Sequence, residues 1–277
     1  MATGAGENSR SAGWVAACLS AFRQALFPPR CLSCRTWLEN EPPAAAALSA
    51  AGPWAEAMAW LRPHFCPGCF QAVVPLEQPL CIGCGTMVSG ADGPDPLCAS
   101  CRDQAPAFDR ARAAFAYQGS LREVIQCLKY RGQTQLAGPL GQLMHAVYRR
   151  FWQPADVDLI LPVPLHRRRL RERGFNQALL LVRRWPRAAG EPRVPLECSV
   201  LVRTRATAPQ AGLDRRARRT NISGAFAVRS PARVAGRRLL LVDDVITTGA
   251  TVAECARVLK QSGAARVDVL ALARVVR

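Results

Sequence analysis

The stretch LLLVDDVITTGATV, Leu239 to Val252, decides how this chain is read. A run of aliphatic residues suited to a strand buried on both faces ends in two adjacent carboxylates, Asp243 and Asp244. A turn of small residues follows, Thr247-Thr248-Gly249-Ala250-Thr251, and a helix is predicted to start near Ala250. In an open parallel sheet, ligands sit beyond the carboxyl ends of the strands, where these carboxylates are expected to fall. Free N–H groups of the turn and the helix dipole favour an anion there, Gly249 lets backbone approach it, and the threonine hydroxyls add donors. A sugar phosphate satisfies both halves, with its ribose hydroxyls on Asp243 and Asp244 and its 5′-phosphate on Thr247 to Thr251. An ordinary helix start beside a strained Asp pair is the plainer alternative.

Outward from this stretch, continuous aliphatic segments alternate with amphipathic ones from about residue 108 to the end. RARAAFAY, VDLILPVP, LECSVLVR, GAFAV, RRLLLVDD and RVDVLALARVV read as strands. SLREVIQCLKY, LAGPLGQLMHAVYRRFW, FNQALLLVRRW and ATVAECARVLKQSG read as helices, the first opened by Ser120 as N-cap with Glu123 at capping-box spacing. This alternation predicts an α/β fold, a parallel sheet with helices on both faces.

The chain has 277 residues, about half of them apolar, enough for a core domain and a small satellite. Its formal charge of +17 is unevenly placed. Residues 1–105 carry 6 Lys+Arg against 8 Asp+Glu, whereas residues 106–277 carry 31 against 12. Such a basic body favours a polyanionic or phosphorylated partner.

Eight of the 12 cysteines form four C-x-x-C pairs, Cys31/Cys34, Cys66/Cys69, Cys81/Cys84 and Cys98/Cys101. Two such tight turns complete an all-thiolate zinc site, so the spacing predicts two structural Zn²⁺ sites with no open coordination position. Sequential pairing is one arrangement of the knuckles, and others remain open. Cys18, Cys127, Cys198 and Cys255 stand singly in largely apolar surroundings and read as core. The expected organisation is an N-terminal amphipathic helix within 1–30, a double zinc ribbon over 31–104 with a Pro/Ala-rich insertion at 40–53, and the α/β domain over 108–277. GWVAACLSAF near the start lacks the flanks of a signal peptide, and no apolar run reaches the ~20 residues a membrane span needs, so a cytoplasmic protein is expected.

LLLVDDVITTGAT resembles the phosphoribosyl diphosphate loop of type I phosphoribosyltransferases. With LPVPLHRRRLRERGFNQA (161–178), RTRATAPQAGLDRRARRTNISGAF (203–226), LREVIQCLKYRG (121–132) and the preceding knuckles, nearly the whole chain from Phe27 resembles the ComF family of competence-associated proteins. Departures are the connector at 40–53 and the spacing of the first knuckle pair. The resemblance implies a type I phosphoribosyltransferase-like domain that binds phosphoribosyl diphosphate with Mg²⁺. Val163, Pro164, Leu165, His166 and Arg167 would form a diphosphate loop, and Arg203, Gln210, Arg216, Arg219 and Asn221 would lie in a hood over the site. Lys129 and Arg131 match family-like positions, but a charged helix end reads as well. Arg167, Arg168, Arg169, Arg171 and Arg173 are too dense for one contact, and His166 among them reads as a surface residue.

Three functions stay open at this point. The chain is an enzyme transferring the phosphoribosyl group to an unknown acceptor, an accessory protein handling incoming single-stranded DNA with competence or DNA-processing partners, or a non-catalytic sensor of phosphoribosyl diphosphate or a nucleotide.

Overall fold

The computed structural model describes residues 29–38, 55–88, 90, 96–185, 194–207 and 215–276. The helix expected before residue 28, the insertion at 40–53 and Gln210 lie outside them, as does the side chain of Arg216. In the cysteine-rich part lie α1 (Ala55–Leu61), α2 (Pro67–Gln71) and α3 (Ala99–Asp103). Then follow β1 (Arg110–Ala116), α4 (Gly119–Tyr130), α5 (Ala137–Phe151), β2 (Leu159–Pro162), α6 (Arg167–Arg173), α7 (Gln177–Val182) and β3 (Leu201–Arg203). The chain closes with α8 (Arg215–Ile222), β4 (Phe226–Val228), β5 (Arg238–Ile246), α9 (Ala250–Gln261) and β6 (Arg266–Arg274).

Four strands form a parallel sheet in the order β1-β6-β5-β2, as the aliphatic runs predict. β5 is central, and its side chains alternate between two cores. Leu240 and Val242 join Val124 of α4 and Leu140 of α5 on one face; Leu239 and Leu241 join Val252, Cys255 and Leu259 of α9 on the other. These four β5 residues are at most 1% exposed, and burying each contributes about 1.5–3 kcal/mol relative to an exposed side chain. Helices therefore cover both faces.

The structure departs from the sequence expectations at several elements. Ser120 is not an N-cap. The cap position is Gln118, Ser120 is buried within the first turn, and its hydroxyl bonds Cys69. Glu123 accepts instead from the Ser33 hydroxyl, so both capping-box residues serve a contact with the cysteine-rich part. LECSVLVR does not extend the parallel sheet: only Leu196 bridges Ile160, the chain bends out at exposed Cys198, and β3 pairs antiparallel with β4. Cys198 is thus no core residue, whereas Cys127 and Cys255 are buried as expected. The arginine-dense segment after β2 is a helix, α6, capped at its start by His166 Nδ1, which accepts from Arg168 N at 3.3 Å.

The cysteine pairs build one motif twice. In each copy a first turn is held by equivalent backbone bonds, Cys31 N–H to Thr36 O at 2.8 Å and Cys81 N–H to Thr86 O at 2.7 Å. A second knuckle opens a short helix, with Cys66 capping α2 and Cys98 capping α3. A left-handed residue closes each first turn, Arg35 at φ 66° and Gly85 at φ 71°. At Gly85 the glycine is required for a second reason, because a Cβ would stand 2.3 Å from Ala111 O of β1.

Candidate functional site

β2 pairs with β5 only as far as Val242, where Val163 N–H donates to Val242 O at 2.8 Å. β5 runs on to Ile246 alongside β6, so the carboxylates lie within the strand and not at its tip, a correction to the strand end read at Asp244. Where β2 departs, a cleft of about 870 Å³ opens beside Asp243, Asp244, Thr247 and Thr251.

Strand alternation sends the two carboxylates different ways. Asp244, 3% exposed, points to the α4 side, where Lys129 Nζ stands 2.8 Å from its Oδ2. Burial pushes the Lys129 ammonium down, but Asp244 and then Asp243 more than offset this and hold it above its ordinary value. Asp243 takes the other side, partly open to the cleft, near Arg203 of β3 and Cys255 of α9. Burial, and then the charge of Asp244, push its carboxyl up to about 8 against the pull of Lys129 and the Asp244 N–H 2.9 Å away. Asp244 claims the one ammonium, which leaves Asp243 the unmatched acid.

The turn leads directly into the start of α9. Gly249 is the N-cap of α9 at φ 79°, Thr248 Oγ1 accepts from Ala250 N at 3.4 Å, and no acidic residue occupies the first turn. Thr247 and Thr251 line the cleft, whereas Thr248, Gly249 and Ala250 shape the turn behind it.

Across the cleft are Val163, Pro164, Leu165 and His166. Asn176 fixes this loop: its Nδ2 donates to Val163 O at 3.0 Å while its Oδ1 caps α7. Arg167 is exposed outside the lining. One helical turn apart on α6, Arg169 and Arg173 are half-buried and face the cleft, with Arg168 at its rim paired to Glu172 at 2.9 Å.

Of the expected hood, Arg203 lines the cleft, its guanidinium 5.4 Å over Phe226 and its Nε buried with no hydrogen bond. Burial lowers its pKa, a cost that a bound anion would relieve. Arg219 points away and bonds Gln104, while its neighbour Arg218 lines the cleft. Asn221 contributes its backbone carbonyl to Arg205 at 3.0 Å and is not part of the lining. Lys129 is in the site, and Arg131 is exposed outside it. Sequence reasoning missed Tyr117, Gln126, Tyr130 and Gln177, all of which line the cleft. For Gln126 and Tyr130 the available signal was their four-residue spacing with Lys129 between, once α4 is drawn as a helix.

The knuckles converge as Cys31, Cys34, Cys66 and Cys69, and as Cys81, Cys84, Cys98 and Cys101, with all sulfurs of each group within 4.8 Å of one another. This is the sequential pairing. Cys34–Cys66 and Cys84–Cys98 are both 3.6 Å apart, close to the ~3.8 Å edge of a tetrahedron with metal–sulfur bonds near 2.3 Å. Without a cation the four sulfurs oppose one another. Hydrogen bonds from Thr36 pull Cys34 down to about 6, while burial pushes Cys69 up to about 11. In the second group burial opposes ionisation of Cys81, yet the N–H groups of Cys98, Cys84 and Gly83 bring it to about 6. Burial and the Cys84 thiolate push Cys101 well up. The donor set and spacing fit a divalent tetrahedral metal.

Residues 198–275 match the phosphoribosyl transferase domain family. Among curated relatives, the DNA utilization protein YhgH of Escherichia coli O157:H7 is 36% identical over 206 residues, 72% of this chain and 85% of the relative. Competence protein F of Haemophilus influenzae is 32% identical over 213 residues, 76% of this chain and 90% of the relative. Competence protein ComFC of Bacillus subtilis is 26% identical over 154 residues, 56% of this chain and 59% of the relative.

Proposed function

Since the chain belongs to the ComF family, we propose that its cleft binds phosphoribosyl diphosphate with accompanying Mg²⁺ and that the protein works in handling single-stranded DNA during uptake. The observation that carries the ligand reading is the convergence in one cleft of the Thr247–Thr251 turn, open Asp243 and the Val163–His166 loop. The turn takes the 5′-phosphate, Asp243 a ribose hydroxyl, and Arg169, Arg173 and Arg203 the diphosphate. Asp244 acts through Lys129, which fixes it in place. The DNA reading is supported by the names of the relatives and by the excess of arginine in the basic half of the chain.

We assign Zn²⁺ to both cysteine groups, as folding ligands in a double ribbon over 31–104 that precedes the phosphoribosyltransferase-like domain at 108–277. Thiolates kept reduced for metal suit the cytoplasm. Among the described residues no helix is long and apolar enough to cross a membrane.

The test is ligand-dependent stabilisation. Phosphoribosyl diphosphate at a hundredfold excess over its Kd should raise stability by about 2.7 kcal/mol, and Asp243→Asn should lose most of that gain. An unchanged melting temperature with the wild-type protein would sink the ligand reading. Diphosphate release with candidate acceptors then separates enzyme from sensor. Single-strand binding that does not weaken as salt rises from about 50 to 200 mM would count against the DNA reading.

A further inference from the structure

The two cysteine groups are built alike but stand in different surroundings. In the second, Cys81, Cys84 and Cys101 are at most 8% exposed, and Cys98 is half-buried. Cations lie against this group: Arg274 Nη2 is 3.4 Å from Cys84 Sγ, and Arg112 donates to the carbonyls of Cys81 and Ile82. In the first group Cys31 is buried, but Cys34 is exposed, and Cys66 and Cys69 are half-buried. The neutral Thr36 hydroxyl stands 3.2 Å from Cys34 Sγ, and Arg35, next to Cys34 in sequence, bonds Gln133 instead.

These differences bear on reactivity. A free thiol beside a guanidinium becomes a better nucleophile by losing its proton. A thiolate already committed to a metal has no proton left to lose, so a guanidinium against it only draws on its lone pairs. Oxidation of sulfur also requires that the oxidant reach it. Both factors shield Cys84 and leave Cys34 open. A partner for Cys34 is at hand, because Cys66 Sγ stands 3.6 Å away. The turn that carries Cys34 is also the one that grips α4: Ser33 on one side bonds Glu123, and Arg35 on the other bonds Gln133, just past the helix end.

We propose that Cys34 and Cys66 are a peroxide-sensitive pair whose oxidation frees the metal of the first group and releases α4, while the second group stays intact. The two thiolates give up one electron each as the Sγ–Sγ bond forms. Hydrogen peroxide takes both electrons, its O–O bond breaks, and with two protons it leaves as two waters. Cys31 and Cys69 then offer two sulfurs where a closed tetrahedral site needs four, so they release the cation to solvent and take up protons. This rests on the zinc assigned to the cysteine groups and is independent of the phosphoribosyl reading.

The experiment uses the full-length, zinc-loaded chain with Cys18→Ser and Cys198→Ser, so that the thiols outside the two groups are buried Cys127 and Cys255. Metal content is measured first, and hydrogen peroxide is then raised stepwise. Released Zn²⁺ is followed with a chromophoric chelator, disulfides are mapped by mass spectrometry after alkylation, and amide hydrogen exchange is read along α4 and α9. One Zn²⁺ should leave at about tenfold lower peroxide than the other. The Cys34–Cys66 disulfide should appear with it, and exchange should quicken over Gly119–Tyr130 but not over Ala250–Gln261. Dithiothreitol with added Zn²⁺ should reverse all three changes. Both ions leaving together, a first disulfide between any other pair, or a first release that leaves α4 exchange unchanged overturns the inference while the zinc assignment stands. A chain that holds no zinc before peroxide is added overturns both.

Discussion

Asp243→Asn should make the empty protein more stable while weakening its ligand binding. The folded state holds the Asp243 carboxyl up to about 8 against an ordinary 3.8, because of burial and then the neighbouring charge of Asp244. A folded value raised above the unfolded one means the group supports folding fully below 3.8 and loses that support as pH climbs through about 8. Between those values stability falls by at most about 1.4 kcal/mol per pH unit, or about 4 kcal/mol by pH 7. Asp243 is partly open to the cleft, and water there screens the penalty, so we take half, ~2 kcal/mol, as the gain from asparagine at pH 7. The assay is urea unfolding of wild type and variant at pH 4, 7 and 8.5 with zinc and ionic strength held constant. The stability gap should be near zero at pH 4, about 2 kcal/mol at pH 7, and level off above about pH 8. A variant less stable than wild type at pH 7, or a gap that does not change with pH, refutes the reasoning.

Lys129→Met leaves Asp244 buried without its ammonium and should cost about 3–5 kcal/mol at neutral pH, shrinking in acid as the carboxylates protonate; adding Asp244→Asn should recover most of it in chemical denaturation. Gly249→Val forces a β-branched residue into φ 79° at the α9 cap and should cost at least about 1–2 kcal/mol in thermal unfolding, with phosphoribosyl diphosphate affinity falling alongside. Metal analysis should find two Zn²⁺ per chain, and a chelator strong enough to strip them should unfold the ribbons and abolish ligand-dependent stabilisation in the cleft. Asn176→Ala should lower stability by about 1 kcal/mol through the lost α7 cap, measured by urea unfolding, and loosen Val163 to His166.

What was legible in the sequence is what local pattern determines. β5, α9 and β6 were readable because each carries its own signal: long, largely aliphatic runs for strands buried on both faces, and glycines at 249 and 263 bounding the helix. The cysteine groups were readable because two thiolates of each site come from one turn. Ser120 and Glu123 misled because their capping spacing is local, whereas Cys69 and Ser33, which claim them, come from a separate part of the chain. α6 was invisible because Leu170 is its one apolar residue, so no hydrophobic period marks the turn that aims Arg169 and Arg173 inward and Arg167 outward. The Lys129–Asp244 pair could not be found by spacing, since the sheet order alone brings β5 under the end of α4.

The two cysteine motifs are best understood through what each one grips. The first holds α4 and the turn after it: Ser33 bonds Glu123, Cys69 meets Ser120, Arg35 bonds Gln133, and a Cβ on Gly119 would stand 2.6 Å from Ala72 O. That helix carries Gln126, Lys129 and Tyr130 into the cleft. The second holds the sheet. Arg112 donates to the carbonyls of Cys81 and Ile82, and Arg274 donates to Cys84 O at 2.7 Å. Arg274 pairs in register with Ile246, the last residue of β5 before the Thr247 turn. One motif thus sets the wall of the cleft and the other the strand end that launches its phosphate turn. The buried parts of the two motifs also belong to opposite cores, Cys31 with the α4–α5 face and Cys81, Cys84 and Cys101 with the α9 face. Metal held by either motif would therefore act as a positional constraint on the carboxylates, because loosening a motif would move the same helix or strand end that carries Lys129 or the Thr247 turn to the cleft.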